Sequence, residues 1–232
     1  QFPNTRWSLV IEARGDCDAP TARRALDELC QTYWYPIYSY ARRRGLTPED
    51  AEDSTQDFFA GLLKRGVFGD LCPEKGRMRA FLLTAMRRFL SSQWRAQNTL
   101  KRGGGQTLIS IDIEATESRF ASGPVDTKDT PDLSFEKAWA HTLLGVVYEA
   151  LEKRQEKLFV TVRPFLAWGE SSQPHALVAS QLGMNEASVR TAIHRMRARY
   201  RGLLEAEIRE TVASQEEAIE ELRFLKRVLS TP

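Results

Sequence analysis

Cysteine is scarce in this chain: Cys17, Cys30 and Cys72 are the only three among 232 residues. No two of them form a C-x-x-C pair, and the odd number speaks against a disulfide framework. A reducing, cytoplasmic setting is the expectation. Histidine is equally rare. His141, His175 and His194 stand far apart, so no zinc or other metal site is expected. No stretch approaches ~18 uninterrupted apolar residues, so no transmembrane helix and no membrane partner are expected. No signal-peptide pattern is seen. The chain opens on Gln1 rather than Met, and a trimmed N-terminus is the expectation. Glycine-rich nucleotide loops, H-E-x-x-H, nucleophile elbows and triad candidates are missing too. Catalytic residues, an enzyme activity and a cofactor are therefore not expected.

An excess of charge of one sign is also lacking, since the net charge is only +2. What the chain has instead is charge sorted by position. From Lys75 to Ile111 there is no acid, while Lys75, Arg77, Arg79, Arg87, Arg88, Arg95, Lys101 and Arg102 are present. Residues 185–201, "NEASVRTAIHRMRARYR", carry five arginines against Glu186. Two basic patches far apart in sequence are the electrostatic footprint of a nucleic-acid binder.

The apolar periodicity is helical almost throughout, which predicts an all-α fold. A first helix over 20–44 places Ala25, Leu26, Leu29, Tyr33, Ile37 and Tyr40 inward and stops at Gly45. A second begins after Thr47, a good N-cap followed by Pro48, and ends at Gly66. A loop, "VFGDLCPEKG", leads to a third, Arg77 to Gln97, with Met78, Phe81, Leu82, Ala85, Phe89 and Leu90 inward. "KRGGG" at 101–105 breaks the pattern, and residues 106–130 have the composition of a flexible acidic linker. Thr130 caps a helix that runs to about 154, and another covers about 155–167.

Next comes a helix of about ten residues, then Gly183, then Asn185 as the cap of the arginine-rich helix. Helix, glycine turn and capped helix make a helix-turn-helix pattern. Val189, Ile193, Met196, Tyr200 and Leu204 form its apolar face. Arg190, His194, Arg197 and Arg201 form a second stripe, with Arg195 and Arg199 on the remaining side. In such a motif the N-terminal residues of the second helix approach base edges. That assigns Glu186, Ala187, Ser188, Arg190 and Thr191 as readers. Arg195, Arg197, Arg199 and Arg201 are assigned as phosphate contacts, with His194 on the same stripe.

Two further constellations stand out. "EDAEDSTQD" packs Glu49, Asp50, Glu52, Asp53 and Asp57 into nine residues. Acids in a first helical turn follow from the helix dipole, and a solvated face is the simpler account. Yet Asp50, Asp53 and Asp57 share one face, away from Phe58, Phe59 and Leu62, which suits docking on a basic partner. Phe81, Phe89 and Trp94 lie among the arginines of the third helix. Aromatics among cations can stack unpaired bases, although the spacing of Phe81 and Phe89 equally fits a core. Trp7, Trp34, Trp139 and Trp168 are expected to be packing residues.

On these residues the chain resembles extracytoplasmic-function sigma factors of the sigma-70 family, which give bacterial RNA polymerase its promoter choice. "PEDAEDSTQDFFAGLL" resembles the region-two helix that docks on the polymerase clamp. "MRAFLLTAMRRFLSSQWR" resembles the helix that captures and melts the −10 element. "ALVASQLGMNEASVRTAIHRMRARYRGLL" resembles the region-four helix-turn-helix that reads the −35 element. "TRWSLV", "YWYPIYSYARRRG" and the C-terminal tail are similar to a subgroup frequent in planctomycete-type bacteria. The resemblance implies a region-two-like domain over 1–102, a linker over 103–130, a region-four-like domain over 131–202 and a helical extension over 203–232. It implies polymerase contacts at Asp50, Asp53, Gln56 and Asp57, and a base pocket in the loop Val67–Lys75. It implies −10 contacts at Arg79, Arg87, Arg88, Trp94 and Arg95, and −35 contacts at Glu186, Ala187, Ser188, Arg190, Thr191, His194, Arg195 and Arg197. The implied partners are core RNA polymerase, through its clamp and flap regions, promoter DNA, and an anti-sigma factor or other regulator. Where many members have Asn and Asp, this chain has Arg88 and Ser92, so the −10 contacts do not transfer wholesale.

Two other functions fit parts of the sequence. A helix-turn-helix repressor or activator with an unrelated N-terminal domain would bind duplex DNA without recruiting polymerase. A metal-dependent nuclease would use the 49–57 carboxylates, but no histidine lies near them. The tail adds a separate question. The arginine-rich helix should continue through Leu203, Leu204, Ile208 and Val212. Ser214 and Glu217 form a capping-box pattern that starts a last helix, with Ile219, Leu222, Leu225 and Leu229 inward. Residues 203–232 hold seven acids against four basic residues. They are either a packing extension or an autoinhibitory segment that folds back on a binding surface.

Overall fold

The computed structural model describes residues 20–63, 77–97, 113–122, 129–166 and 174–230. Among them every regular element is a helix: α1 (Pro20–Arg43), α2 (Pro48–Leu63), α3 (Met78–Gln97), α4 (Ile113–Ser122), α5 (Pro131–Val162), a 3-10 turn (Arg163–Phe165), α6 (His175–Leu182), α7 (Glu186–Arg209) and α8 (Gln215–Leu229). The loop Val67–Lys75, the "KRGGG" segment, Trp7 and Trp168 lie outside the described residues, as does the side chain of Arg95. The chain divides into two compact units, Gln1–Thr142 with Arg209–Glu217, and Leu143–Ile208 with Ala218–Pro232.

The first unit is built on aromatic packing. Trp34 of α1 stacks on Phe59 of α2 at 5.8 Å, and Phe58 of α2 meets Phe89 of α3 edge-on at 5.8 Å. Both geometries are favoured by ring quadrupoles. Ser54 links α2 to Gln93 of α3 at 3.2 Å. Buried Ser39 and Ser134 share a 2.7 Å hydrogen bond between α1 and the start of α5.

Helix α4 falls inside the segment whose composition suggested a linker. It is held to α1 by polar contacts. The Glu117 carboxylate accepts from Arg42 Nε at 3.1 Å, from Arg42 Nη2 at 2.7 Å and from the Tyr38 hydroxyl. The Phe120 ring lies under the guanidinium groups of both Arg42 and Arg43. Arg42 holds the Glu117 carboxyl below its usual range. Ten residues give too little periodicity to register as a helix by themselves, and the contacts that hold this one are distant in sequence, 75 residues away at Arg42 and 23 at Thr142.

Two helices were expected over 130–167, and the structure has one, α5, of 32 residues. "EALEKRQEKLF" contains neither glycine nor proline, so helical hydrogen bonding continues to Val162; yet the rings of Tyr148 and Phe159 lie 5.8 Å apart although eleven residues of straight helix rise about 16.5 Å, so α5 bends sharply between them, close to the expected junction.

In the second unit, Tyr148 of α5 lies 5.8 Å from Phe159 and stacks on Tyr200 of α7 at 5.8 Å, with Arg163 over its ring. Phe165 stacks on His175 at 5.4 Å, joining the 3-10 turn to α6. Gly183 ends α6 with φ 63 and ψ 33, and the next amide, Met184 N–H, donates to the Ala179 carbonyl at 2.9 Å. Asn185 then starts α7: its side-chain oxygen accepts the Ser188 amide at 2.8 Å. The last helix is rotated from its expected register. Ala218, Glu221, Leu225 and Val228 are buried, and Ile219 is exposed. Both sets are helical stripes, and the packing selects the one that carries an acid.

A left-handed residue other than glycine is strained by about 1–2 kcal/mol. A Cβ on Gly183 would meet nothing within 4 Å, so strain alone should decide the outcome. Gly183→Ala should lower stability by about that amount. Gly202→Ala, equally unobstructed but inside α7, should raise it by about 0.5–1 kcal/mol. Urea unfolding of the two variants beside the parent checks the opposite signs.

Candidate nucleic-acid interface

Burial decides which side chains remain available. In α7, Val189, Ile193, Met196, Tyr200, Leu204 and Ile208 are buried. The opposite surface carries Glu186, Ala187, Arg190, Thr191, His194, Arg195, Arg197, Arg199 and Arg201, all exposed, with Ser188 half-buried. The N-terminal turn is therefore an open edge held at a defined entry by Gly183 and Asn185. Arg190 lies 3.8 Å from Glu186 one turn earlier, both side chains being more than half exposed. Such a surface pair contributes little and yields readily to a better anion. The Thr191 hydroxyl donates to the Ala187 carbonyl at 3.0 Å and keeps only its acceptor capacity.

Arg197 differs from the rest of its stripe. Its Nε donates to the Phe165 carbonyl at 2.9 Å, tying α7 to the end of the 3-10 turn. A helical wheel assigns it to phosphate contact, whereas here it also holds the motif together.

Helix α3 shows the same sorting. Met78, Leu82, Leu83, Ala85, Met86 and Leu90 are buried. Phe81 and Phe89, expected inward, are half-buried. Thr84, Arg87, Arg88, Ser91, Ser92 and Trp94 face outward, and Trp94 is 68% exposed. An indole this exposed has the chemistry to stack on an unpaired base.

The three arginines named on α3 with described side chains occupy different states. Arg79 is only 5% exposed, donates to Glu136 at 3.2 Å and lies 5.1 Å over the Trp139 ring. Its guanidinium is committed to the interior of the first unit, which corrects its place among exposed −10 contacts. Arg87 grips Asp132 through two hydrogen bonds, with the Nε contact at 3.1 Å, and that grip raises its pKa further. Both side chains of this pair are nearly half exposed. Arg88 is exposed.

On α2 the Thr47 hydroxyl accepts the Asp50 amide at 3.1 Å and donates to the Asp50 carboxylate at 2.9 Å. Asp50 therefore helps to cap its own helix. Asp53 and Asp57 are exposed on the side opposite buried Phe58, Phe59 and Leu62. The Gln56 amide donates to Glu52 at 3.1 Å. Burial pushes the Glu52 pKa up, and the charges of Asp53 and Glu49 add to the rise. An elevated carboxyl beside like charges marks an acidic surface that a cationic partner would relieve.

Sequence periodicity found these faces but missed the partners Glu136, Trp139, Asp132 and the Phe165 carbonyl. They lie 57, 60, 45 and 32 residues from the arginines they engage. No local signal encodes a contact over that separation.

A family model described as ECF sigma factor matches residues 21–206. No curated protein and no solved structure matches the chain. The family match does not favour an unrelated helix-turn-helix regulator. No helix among the described residues is long and apolar enough to cross a membrane.

Because Arg197 holds the 3-10 turn, Arg197→Ala should lower both the stability of the second unit and DNA affinity, by about 1 kcal/mol in stability for the lost hydrogen bond. Arg190→Ala should leave stability within about 0.5 kcal/mol, its pair being exposed. Thermal unfolding and DNA titration at several salt concentrations separate the two. Equal stability losses in both variants would contradict the Phe165 contact.

Proposed function

The chain belongs to the ECF sigma factors, which direct promoter-specific transcription initiation with core RNA polymerase, and we propose that its three sorted helix faces divide that work. In this reading residues 1–102 form the region-two-like domain, 103–130 the linker, 131–202 the region-four-like domain and 203–232 an extension. The acidic face of α2, with Asp53, Asp57 and Gln56 foremost and Asp50 at its cap, docks on the polymerase clamp. The outer face of α3, with Arg88 and Trp94, takes the separated −10 strand together with Arg95, and Arg87 joins by exchanging Asp132 for a phosphate. The start of α7, from Glu186 to Thr191, reads −35 base edges in the major groove, while His194, Arg195 and Arg197 face the backbone. Apolar Leu177 and Met184, exposed on α6 and its turn, suit the flap. An anti-sigma factor or other regulator would act by covering one of these faces, and a cytoplasmic location follows from the partners.

The single observation that carries this division is the exposed Trp94, 68% accessible on a helix that also exposes Arg87 and Arg88 and packs its opposite face. A duplex-only regulator has no use for an indole standing in solvent. A factor that holds unpaired bases does, since stacking on an aromatic is worth about 1–3 kcal/mol per base.

Run-off transcription with core polymerase on genomic fragments tests the whole reading. Asp53→Lys with Asp57→Lys should abolish co-purification with core enzyme at unchanged helicity, because like charges facing across an interface cost several kcal/mol. Trp94→Ala should leave core binding intact and reduce open-complex formation by about tenfold or more, detected by permanganate reactivity of unpaired thymines. Unchanged core binding in the double lysine variant would remove the clamp assignment.

A further inference from the structure

Glu186 is out of place by charge. Residues 185–201 carry five arginines and this one acid, which stands exposed at the first residue of α7. The helix dipole favours an acid there. A phosphate disfavours it, so the carboxylate lowers affinity for any DNA and is useful only if it meets something other than phosphate.

The groups around it narrow what that is. Asn185 and Ser188 are engaged in the cap, since the Asn185 side-chain oxygen accepts the Ser188 amide at 2.8 Å. Arg190 stands one turn on, its Nη1 3.8 Å from the Glu186 carboxylate, with both side chains more than half exposed. That distance is too long for a hydrogen bond, so guanidinium donors and carboxylate lone pairs are not used up on each other. Residues at i and i+4 share one helix face, about 5–6 Å apart at Cβ, and reach the same part of a groove.

Base-pair edges then rank themselves. In the major groove a G·C pair shows the N7 and O6 acceptors of guanine and the N4 amino donor of cytosine, with O6 and N4 about 2.9 Å apart. A donor fork beside a carboxylate is the complement of that row, with Arg190 on N7 and O6 and Glu186 on N4. An A·T pair in either orientation offers the two side chains at most one bond each. The reversed C·G pair sets the arginine against an amino donor and the carboxylate against two acceptors, which is repulsive at both ends. An arginine alone would select guanine. The carboxylate adds a reading of the partner base and a rejection of the reversed pair.

We propose that Glu186 and Arg190 read one base pair together, a G·C pair in a fixed orientation, with Glu186 as the residue that specifies cytosine; this rests on the reading of α7 as the −35 helix. The two charges nearly cancel, so the pair contributes discrimination more than affinity.

Holoenzyme formed from the full chain and core polymerase selects from a library in which the −35 region of a transcribed fragment is randomised. The preferred fragment is then rebuilt with single-atom changes. One G·C pair of the selected element should respond to two of them. Replacing its guanine by 7-deazaguanine removes N7 and should weaken parent binding about tenfold. Replacing its cytosine by N4-methylcytosine, which still pairs with guanine but lacks the outward amino hydrogen, should do the same. The first change should have no effect in Arg190→Ala, and the second none in Glu186→Ala. Reversing the pair should cost the parent about a hundredfold, and Glu186→Gln, whose amide can also donate to guanine, should recover about tenfold of that. Both replaced side chains are exposed, so the variants keep the fold. N4-methylation that weakens parent and Glu186→Ala alike, or neither, overturns the proposal and leaves Glu186 as a partner of the helix dipole. Loss of preference at different base pairs in Glu186→Ala and Arg190→Ala overturns it as well. A selected element without such a G·C pair strikes the proposal alone, whereas a parent that selects no −35 sequence strikes the reading beneath it.

Discussion

Burial of one apolar stripe on each helix is the constraint from which the working surfaces of this protein follow. A helix that commits Val189, Ile193, Met196, Tyr200, Leu204 and Ile208 to a core has no freedom over where Arg190, His194, Arg195 and Arg199 point. The same holds for α2 and α3. Packing Phe58, Phe59 and Leu62 leaves Asp53 and Asp57 outside, and packing Met78, Leu82, Met86 and Leu90 leaves Arg88 and Trp94 outside. The energy is in the buried halves, at roughly 1.5–3 kcal/mol per large apolar side chain. The chemistry is in what burial leaves over. A substitution in the stripe would therefore disturb function by turning the helix, without touching any residue that meets DNA or polymerase.

This division explains what could be read from the sequence and what could not. The stripe of α7 was legible to the residue because a periodicity sustained over 24 residues averages out local noise. The turn before it was legible because Gly183 and Asn185 are needed for backbone reasons, a left-handed residue and a side-chain cap. The acidic face of α2 came from the same arithmetic, which left the position of Trp94 open. Three things escaped. The junction at 154–155 looked like a break between two helices, whereas α5 continues through it as one bent helix that brings Tyr148 and Phe159 together. The short α4 depends on Glu117 meeting Arg42 across 75 residues. In α8 two stripes competed, and the apolar one lost to a set containing Glu221, because tertiary partners choose the face that a short helix buries. Local pattern assigns a side chain to a face, and only the fold assigns it a partner.

The partners matter most for the arginines, which the sequence presents as one population. The fold grades them by the cost of moving each to a phosphate. Arg79, buried in the first unit on Glu136 and Trp139, would give up both contacts and its packed position, the highest cost among these arginines. Arg87 holds Asp132 at a half-exposed position, where an ion pair contributes about 0–1 kcal/mol. A phosphate competes for Arg87 on nearly equal terms. Arg190 holds Glu186 more loosely still. Arg88 stands exposed. The cations able to release counterions on DNA are thus fewer than the basic residues of the two patches. The salt dependence of binding follows that smaller number, at roughly 0.9 per neutralised phosphate on duplex. Asp132 gains a role in this ordering. It holds the Arg87 guanidinium in a defined place on the outer face of α3, and on the proposed reading of that helix a strand phosphate would meet an arginine already oriented. A chain with a net charge of only +2 can in this way bind a polyanion. Its acids are spent on arginines that build the fold or wait on its surface, and the cations left over are gathered on the faces that packing has turned outward.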